Sequence, residues 1–151
     1  TSKTVPVFWS ANMSLGIALL AELAKTAAKT FPEADIEIIE KHHNRKLDAP
    51  SGTALLLANA IKKVREKEFL VLGRSGQGKR QEDEIGIHAV RVGNIVGEHE
   101  IIIGTDTQTI TLKHEASSRS LFAEGAVAAA EFMIGREPGM YDMNDLIALN
   151  A

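Results

Sequence analysis

The run 40–54 (Glu-Lys-His-His-Asn-Arg-Lys-Leu-Asp-Ala-Pro-Ser-Gly-Thr-Ala) constrains the fold more than any other stretch of the chain. Pro50 has no amide proton and keeps Ala49 out of helical geometry, so no helix can run through it. Ser51 is a strong N-cap, and Gly52 and Thr53 then open the first turn of a helix. Just upstream, Ile36, Ile38 and Ile39 favour a strand over residues 35–40. The chain is thereby committed to a strand, a polar loop over residues 44–50, and a helix.

The same run concentrates chemistry. Successive side chains of a strand point to opposite faces, so His42 and His43 at a strand end diverge unless the chain turns there. One imidazole can then face a reacting centre while the other steadies an anion. Imidazole changes charge near neutral pH, and a neighbouring carboxylate sustains its charged form, a role for which Glu40 is the candidate. Lys46 offers a compact ammonium for an anionic group or for proton donation. The free amides at the helix start, the hydroxyls of Ser51 and Thr53 and the helix dipole suit a carboxylate, and Gly52 leaves the approach open. A capping serine, paired histidines, or the charges of Lys41, Arg45 and Lys46 would each be ordinary surface features alone. Their coincidence in one loop marks a site for a small substrate bearing carboxylates, with an acid catalyst beside it.

The remaining pattern places this unit in an α+β fold. Residues 5–9 read as a short buried strand and residues 14–31 as an amphipathic helix closed by Pro32. The helix opened by Ser51 is expected to run to about residue 66. Residues 69–72 form a short strand or a helix end, and 73–83 a glycine-bearing loop that looks mobile. Strands over 85–92, 99–104 and 109–114, joined by short turns, suggest an antiparallel meander. An alanine-rich helix over 118–134 and a short one over 143–149 complete the chain. The expected architecture is an open mixed β-sheet covered on one face by helices.

The chain has 151 residues, enough for one domain, with a net charge of −3 and no cysteine. Disulfides and thiolate metal sites are excluded within it, and the acidic balance with one Trp and one Tyr disfavours nucleic acid. No apolar run approaches the ~20 residues that span a bilayer. A cytoplasmic protein is the expectation. Residues 73–80 (Gly-Arg-Ser-Gly-Gln-Gly-Lys-Arg) nearly match a phosphate-binding P-loop, but Arg80 replaces its Ser/Thr and no helix pattern follows. A flexible basic loop is the better reading. A metal site from His42, His43 and Asp48 lacks ligand spacing, and no metal is expected. His88, His99 and His114 fall in strands and read as packed or surface residues.

The run 40–54 resembles the signature of the dihydrodipicolinate reductase family, approximately Glu-x-His-His-x-x-Lys-x-Asp-Ala-Pro-Ser-Gly-Thr-Ala. The resemblance extends to Ser-Ala-Asn-Met-Ser at 10–14, Val-Arg-Val-Gly at 90–93, Val-Gly-Glu-His at 96–99, and His-Glu-Ala-Ser-Ser-Arg at 114–119. Phe-Ala-Glu-Gly-Ala at 122–126 and Gly-Met-Tyr-Asp-Met at 139–143 also fit, so it covers essentially the whole chain. It implies reduction of a cyclic dicarboxylate by NADH or NADPH in lysine and diaminopimelate biosynthesis. His42 would be the general acid and Lys46 its partner. His43, Ser51, Gly52 and Thr53 would hold the substrate carboxylates, with Arg119 near the active site. Ser10, Ala11, Asn12 and Met13 would border the nicotinamide.

The family begins with a dinucleotide-binding half, and no glycine-rich strand–turn–helix opens this chain. The resemblance therefore implies a substrate-binding and oligomerisation domain over residues 1–137. Residues 138–151 would pack on the absent nucleotide-binding domain and be loosely held here. Such a chain would be inactive alone and would associate as a homotetramer, and residues 101–103, three consecutive isoleucines, suggest a strand apolar on both faces. The rival expectation is a non-catalytic dicarboxylate-binding or scaffold module, separated from the enzyme by the role of His42 with Lys46.

Overall fold

The computed structural model describes residues 2–148. The chain divides into two compact units, one containing residues up to Leu19 together with those from Ser118 onward, the other Leu20–Ser117. The division falls within the first helix, α1 (Leu15–Thr30).

The larger unit is built on a five-stranded sheet in the order β3-β4-β2-β5-β6. Its strands are β2 (Asp35–His42), β3 (Phe69–Leu72), β4 (Glu84–Arg91), β5 (Gly97–Gly104) and β6 (Thr109–Ala116). β4 runs parallel to both β3 and β2, whereas β5 is antiparallel to β2 and to β6, so the sheet is mixed. The expected meander is corrected here. β5 and β6 form a hairpin, but β2 inserts between β4 and β5. The register explains the insertion, because Ile36 and Ile38 face Ile85 and Ile87 on one side and Ile103 and Ile101 on the other. Placing β2 in the centre buries all six isoleucines on one face.

That face is covered by helix. The buried alanines Ala24 and Ala28 let the α1 backbone approach closely, and α2 (Gly52–Lys62) contributes Ala54, Leu57, Ala58 and Ile61. α2 stops at Lys62, short of residue 66, and the chain turns so that Arg65 donates to the carbonyl of Ala34 at 2.9 Å. The opposite face of the sheet is polar, with Glu37 ion-paired to Arg74, Arg80 and His88. Ile102 lies on that face between Glu37 and Thr111, half-buried, so β5 is apolar on one face and mixed on the other. The loop 73–83 is tied down by its own cations, with Arg74 on Glu84 at 2.7 Å and Arg80 on Asp35 at 2.7 Å.

The smaller unit pairs β1 (Pro6–Phe8) in parallel with β7 (Gly139–Tyr141) and packs α3 (Ser120–Phe132) and α4 (Met143–Ala148) into one cluster. Ala18, Ala129, Met143 and Leu146 are its buried members, with Phe8 and Phe132 against them. Residues 138–148, expected to be loose, thus carry a paired strand and a packed helix, because Met143 and Leu146 bury their side chains. The expected helical residue 149 lies outside the described residues.

Candidate functional site

β2 extends two residues past the expected strand and ends at His42. Its alternation places Ile36, Ile38, Glu40 and His42 on the covered face, so the hydrophobic row ends in a carboxylate and an imidazole. Glu40 is fully buried and multiply satisfied. Its carboxylate accepts from Arg91 Nη1 at 2.8 Å and Nη2 at 2.6 Å, a bidentate pair, and from the Ser51 amide at 3.0 Å. His42 Nδ1 lies 2.6 Å from Glu40 Oε2. Burial pushes the Glu40 carboxyl up, but Arg91, His42 and the Ser51 amide together hold it below its ordinary value. An ionised carboxylate can only accept, so Nδ1 carries the proton in this contact and Nε2 is the nitrogen left for a substrate. Gly97 faces it, and a Cβ there would stand 3.1 Å from Nε2.

The loop after β2 returns the chain to the head of α2. Its Ala49–Pro50 peptide is cis. Ser51 is the N-cap, its hydroxyl accepting from the Ala54 amide at 3.2 Å, as its residue type predicts. The same hydroxyl is 3.1 Å from His99 Nε2, and the His99 ring stands edge-on to His42 at 5.2 Å between centroids. Burial, then the charge of His42, push His99 down to about 4, so it is neutral near pH 7. With the hydroxyl accepting from Ala54 and free to donate, Ser51 gives its proton to Nε2 of this neutral ring.

Lys46 Nζ is 2.8 Å from Asp48 Oδ1, at the mouth of the loop. Lys46 first, with help from the Gly52 amide, holds the Asp48 carboxyl below its ordinary value. Gly52 is exposed, and a Cβ there would meet nothing within 4 Å. His43, one residue beyond the strand, is half-buried. The structure thus brings His42, Lys46, Ser51, Gly52 and Thr53 to one end of the sheet, where the carboxyl ends of parallel β2 and β4 meet a helix N-terminus. Open α/β sheets bind ligands in such crevices. Among the described residues, no cluster of three metal-ligating side chains forms.

Arg119 and residues 10–13 belong to the smaller unit. Arg119 is exposed at the start of α3 and makes no side-chain cap. The Ser10–Met13 turn closes on itself, Ser10 Oγ donating to the Asn12 carbonyl at 2.7 Å and Asn12 Oδ1 accepting from the Ser14 amide at 2.8 Å. It contains no Lys or Arg.

Arg91 and His99 were not identified as site residues from the sequence. An available signal was periodicity: Arg91 shares a face of β4 with the buried Ile85 and Ile87, and an arginine on that face requires an anion. His99 becomes visible only with the register that sets it opposite Glu40.

Residues 16–147 match the family model described as dihydrodipicolinate reductase, C-terminus. A 4-hydroxy-tetrahydrodipicolinate reductase of Caldanaerobacter subterraneus is 55% identical over 148 residues, 97% of this chain and 59% of that protein. The reductase of Clostridium novyi is likewise 55% identical over 97% of this chain and 59% of its own length. A dipicolinate-bound dihydrodipicolinate reductase from Paenisporosarcina superposes with a TM-score of 0.73 at 31% identity, covering 91% of this chain and 53% of that one. The chain therefore spans about three-fifths of the curated relatives it matches. It belongs to the dihydrodipicolinate reductase family and corresponds to the C-terminal part of that family's members.

Proposed function

We propose that this chain is the substrate-binding part of an NAD(P)H-dependent reductase that converts 4-hydroxy-tetrahydrodipicolinate to tetrahydrodipicolinate in cytoplasmic lysine and diaminopimelate biosynthesis. The observation that carries the reading is the buried Glu40 carboxylate, which ties His42, the Ser51 amide and Arg91 into one cluster at the head of α2. The dipicolinate-bound relative supports a planar cyclic dicarboxylate as ligand.

In this reading Lys46, His43 and the amides of Gly52 and Thr53 hold the ligand carboxylates, while Ser51, whose own amide serves Glu40, caps and orders that helix start. Glu40 fixes the His42 ring through Nδ1, leaving Nε2 to deliver a proton as negative charge develops on the reduced ring. The reduced nicotinamide supplies the hydride. Ser10, Ala11, Asn12 and Met13 would border the nicotinamide ring, and Arg119 would sit near the ligand. The pyrophosphate falls to a nucleotide-binding half that residues 138–151 would pack against, so residues 1–137 alone are inactive in reduction. A homotetramer formed through the open face of the sheet belongs to the same proposal, with Ile39 and Ile102 as its apolar contacts.

In an enzyme completed with a nucleotide-binding half, His42→Ala should lower kcat by about 100-fold or more while changing dicarboxylate affinity several-fold at most. Equal losses in turnover and binding would remove His42 from the acid role and favour a purely binding module.

A further inference from the structure

The donors that this reading assigns to a ligand carboxylate are already engaged by a carboxylate of the chain itself. Asp48 Oδ1 is 2.8 Å from Lys46 Nζ, and that ammonium first, with a smaller share from the Gly52 amide, holds the Asp48 carboxyl below its ordinary value. The same ammonium, beside the amides of a helix start, is the group an incoming carboxylate would engage. The Asp48 side chain is 56% exposed against 23% for Lys46, so the carboxylate lies outside the ammonium with solvent to swing into. Its backbone, by contrast, is anchored, because Arg91 Nη2 donates to the Asp48 carbonyl at 2.6 Å. The space beside Gly52 is open, with nothing within 4 Å of a Cβ position.

We propose that Asp48 is an internal stand-in for the ligand carboxylate, held by Lys46 in the free protein and displaced when a dicarboxylate binds. The proposal rests on the reading of this loop as a carboxylate site. Exchange of one carboxylate for another leaves the charge around Lys46 unchanged, so the ammonium is never left unpaired. A neutral ligand has no charge to exchange for that of Asp48 and leaves the pair in place. Asp48 is thus an internal competitor that lowers the affinity of the site for anions. The contact with Lys46 that it surrenders is of the weak, solvent-screened kind, so its effect on affinity is several-fold and not orders of magnitude.

The test is calorimetric titration of pyridine-2,6-dicarboxylate into the full chain and into its Asp48→Asn and Asp48→Ala variants. Both variants should bind about three- to tenfold more tightly than the parent. The neutral isostere pyridine-2,6-dicarboxamide should show no such gain. The Gly52 amide resonance should differ between parent and Asp48→Ala when free and coincide when saturated, because the ligand then supplies the acceptor in both. Binding that is unchanged or weaker in the variants would overturn the proposal and make Asp48 a positioning residue for Lys46, with the carboxylate site itself intact. Binding by the variants alone would support it in its strongest form. No binding by parent or variants would refute the carboxylate-site reading, and the stand-in with it.

Discussion

Gly52 separates folding from binding at the scale of one residue. It sits in the first turn of α2 with an ordinary backbone angle and empty space around it, so an alanine there fits and removes glycine's entropic cost. The same methyl group would project into the approach to the helix-start amides. Gly52→Ala should therefore leave stability unchanged or raise it by about 0.5–1 kcal/mol in a thermal or urea melt, while weakening dicarboxylate binding at least several-fold. Parallel losses in both would mean that the residue is structural only. The run 40–54 made this residue and its neighbours legible, because a proline, an N-cap and a glycine have local meanings that tertiary context seldom reverses. Glu40 was less legible. Its role depends on lying two residues from His42 on a buried face, and on Arg91 arriving from a strand more than forty positions away.

At the scale of elements, local pattern located nearly every helix and strand, while pairing was set by contacts between distant segments. Strands 85–92, 99–104 and 109–114 were expected to pair in sequence order, but no local signal says that β2 outcompetes the turn at 94–98 for the edge of β5. Two inward isoleucine pairs, Ile36 with Ile103 and Ile38 with Ile101, decide it. In the loop 73–83, likewise, Arg74 and Arg80 find their carboxylates on β2 and β4, partners that no local pattern names. In the smaller unit, the close approach of α3 to the loop before α1 sets a sharper requirement. A Cβ on Gly125 would stand 1.7 Å from the Met13 carbonyl oxygen, a backbone atom with no rotamer to escape into. Gly125→Ala should destabilise the protein by about 1–3 kcal/mol in chemical denaturation. A neutral effect would show that α3 can withdraw without cost.

For the molecule as a whole, the buried histidines tie stability to pH. His99 is held down to about 4 from 6.5, so between these values the unfolded chain binds its proton and the folded chain does not. Stability from this group is complete above pH 6.5 and is lost as the pH falls towards 4. Burial lowers His114 in the same direction. The depressed carboxyls of Glu37, Glu40 and Glu98 add losses only below about pH 4.5, and the raised Glu68 carboxyl acts in the opposite sense. The His99 share should amount to roughly 2 kcal/mol between pH 7 and pH 5. His99→Gln, which keeps a polar partner for Ser51, should flatten the denaturation midpoint over that window, and an unchanged slope would exonerate His99. The central claim is that residues of this chain form a carboxylate site while the nucleotide site lies elsewhere. Calorimetric titration with pyridine-2,6-dicarboxylate, with NADH titrated separately, tests it most directly. Saturable dicarboxylate binding without NADH binding is the expected result, and saturable binding of NADH, or none of the dicarboxylate, would contradict it.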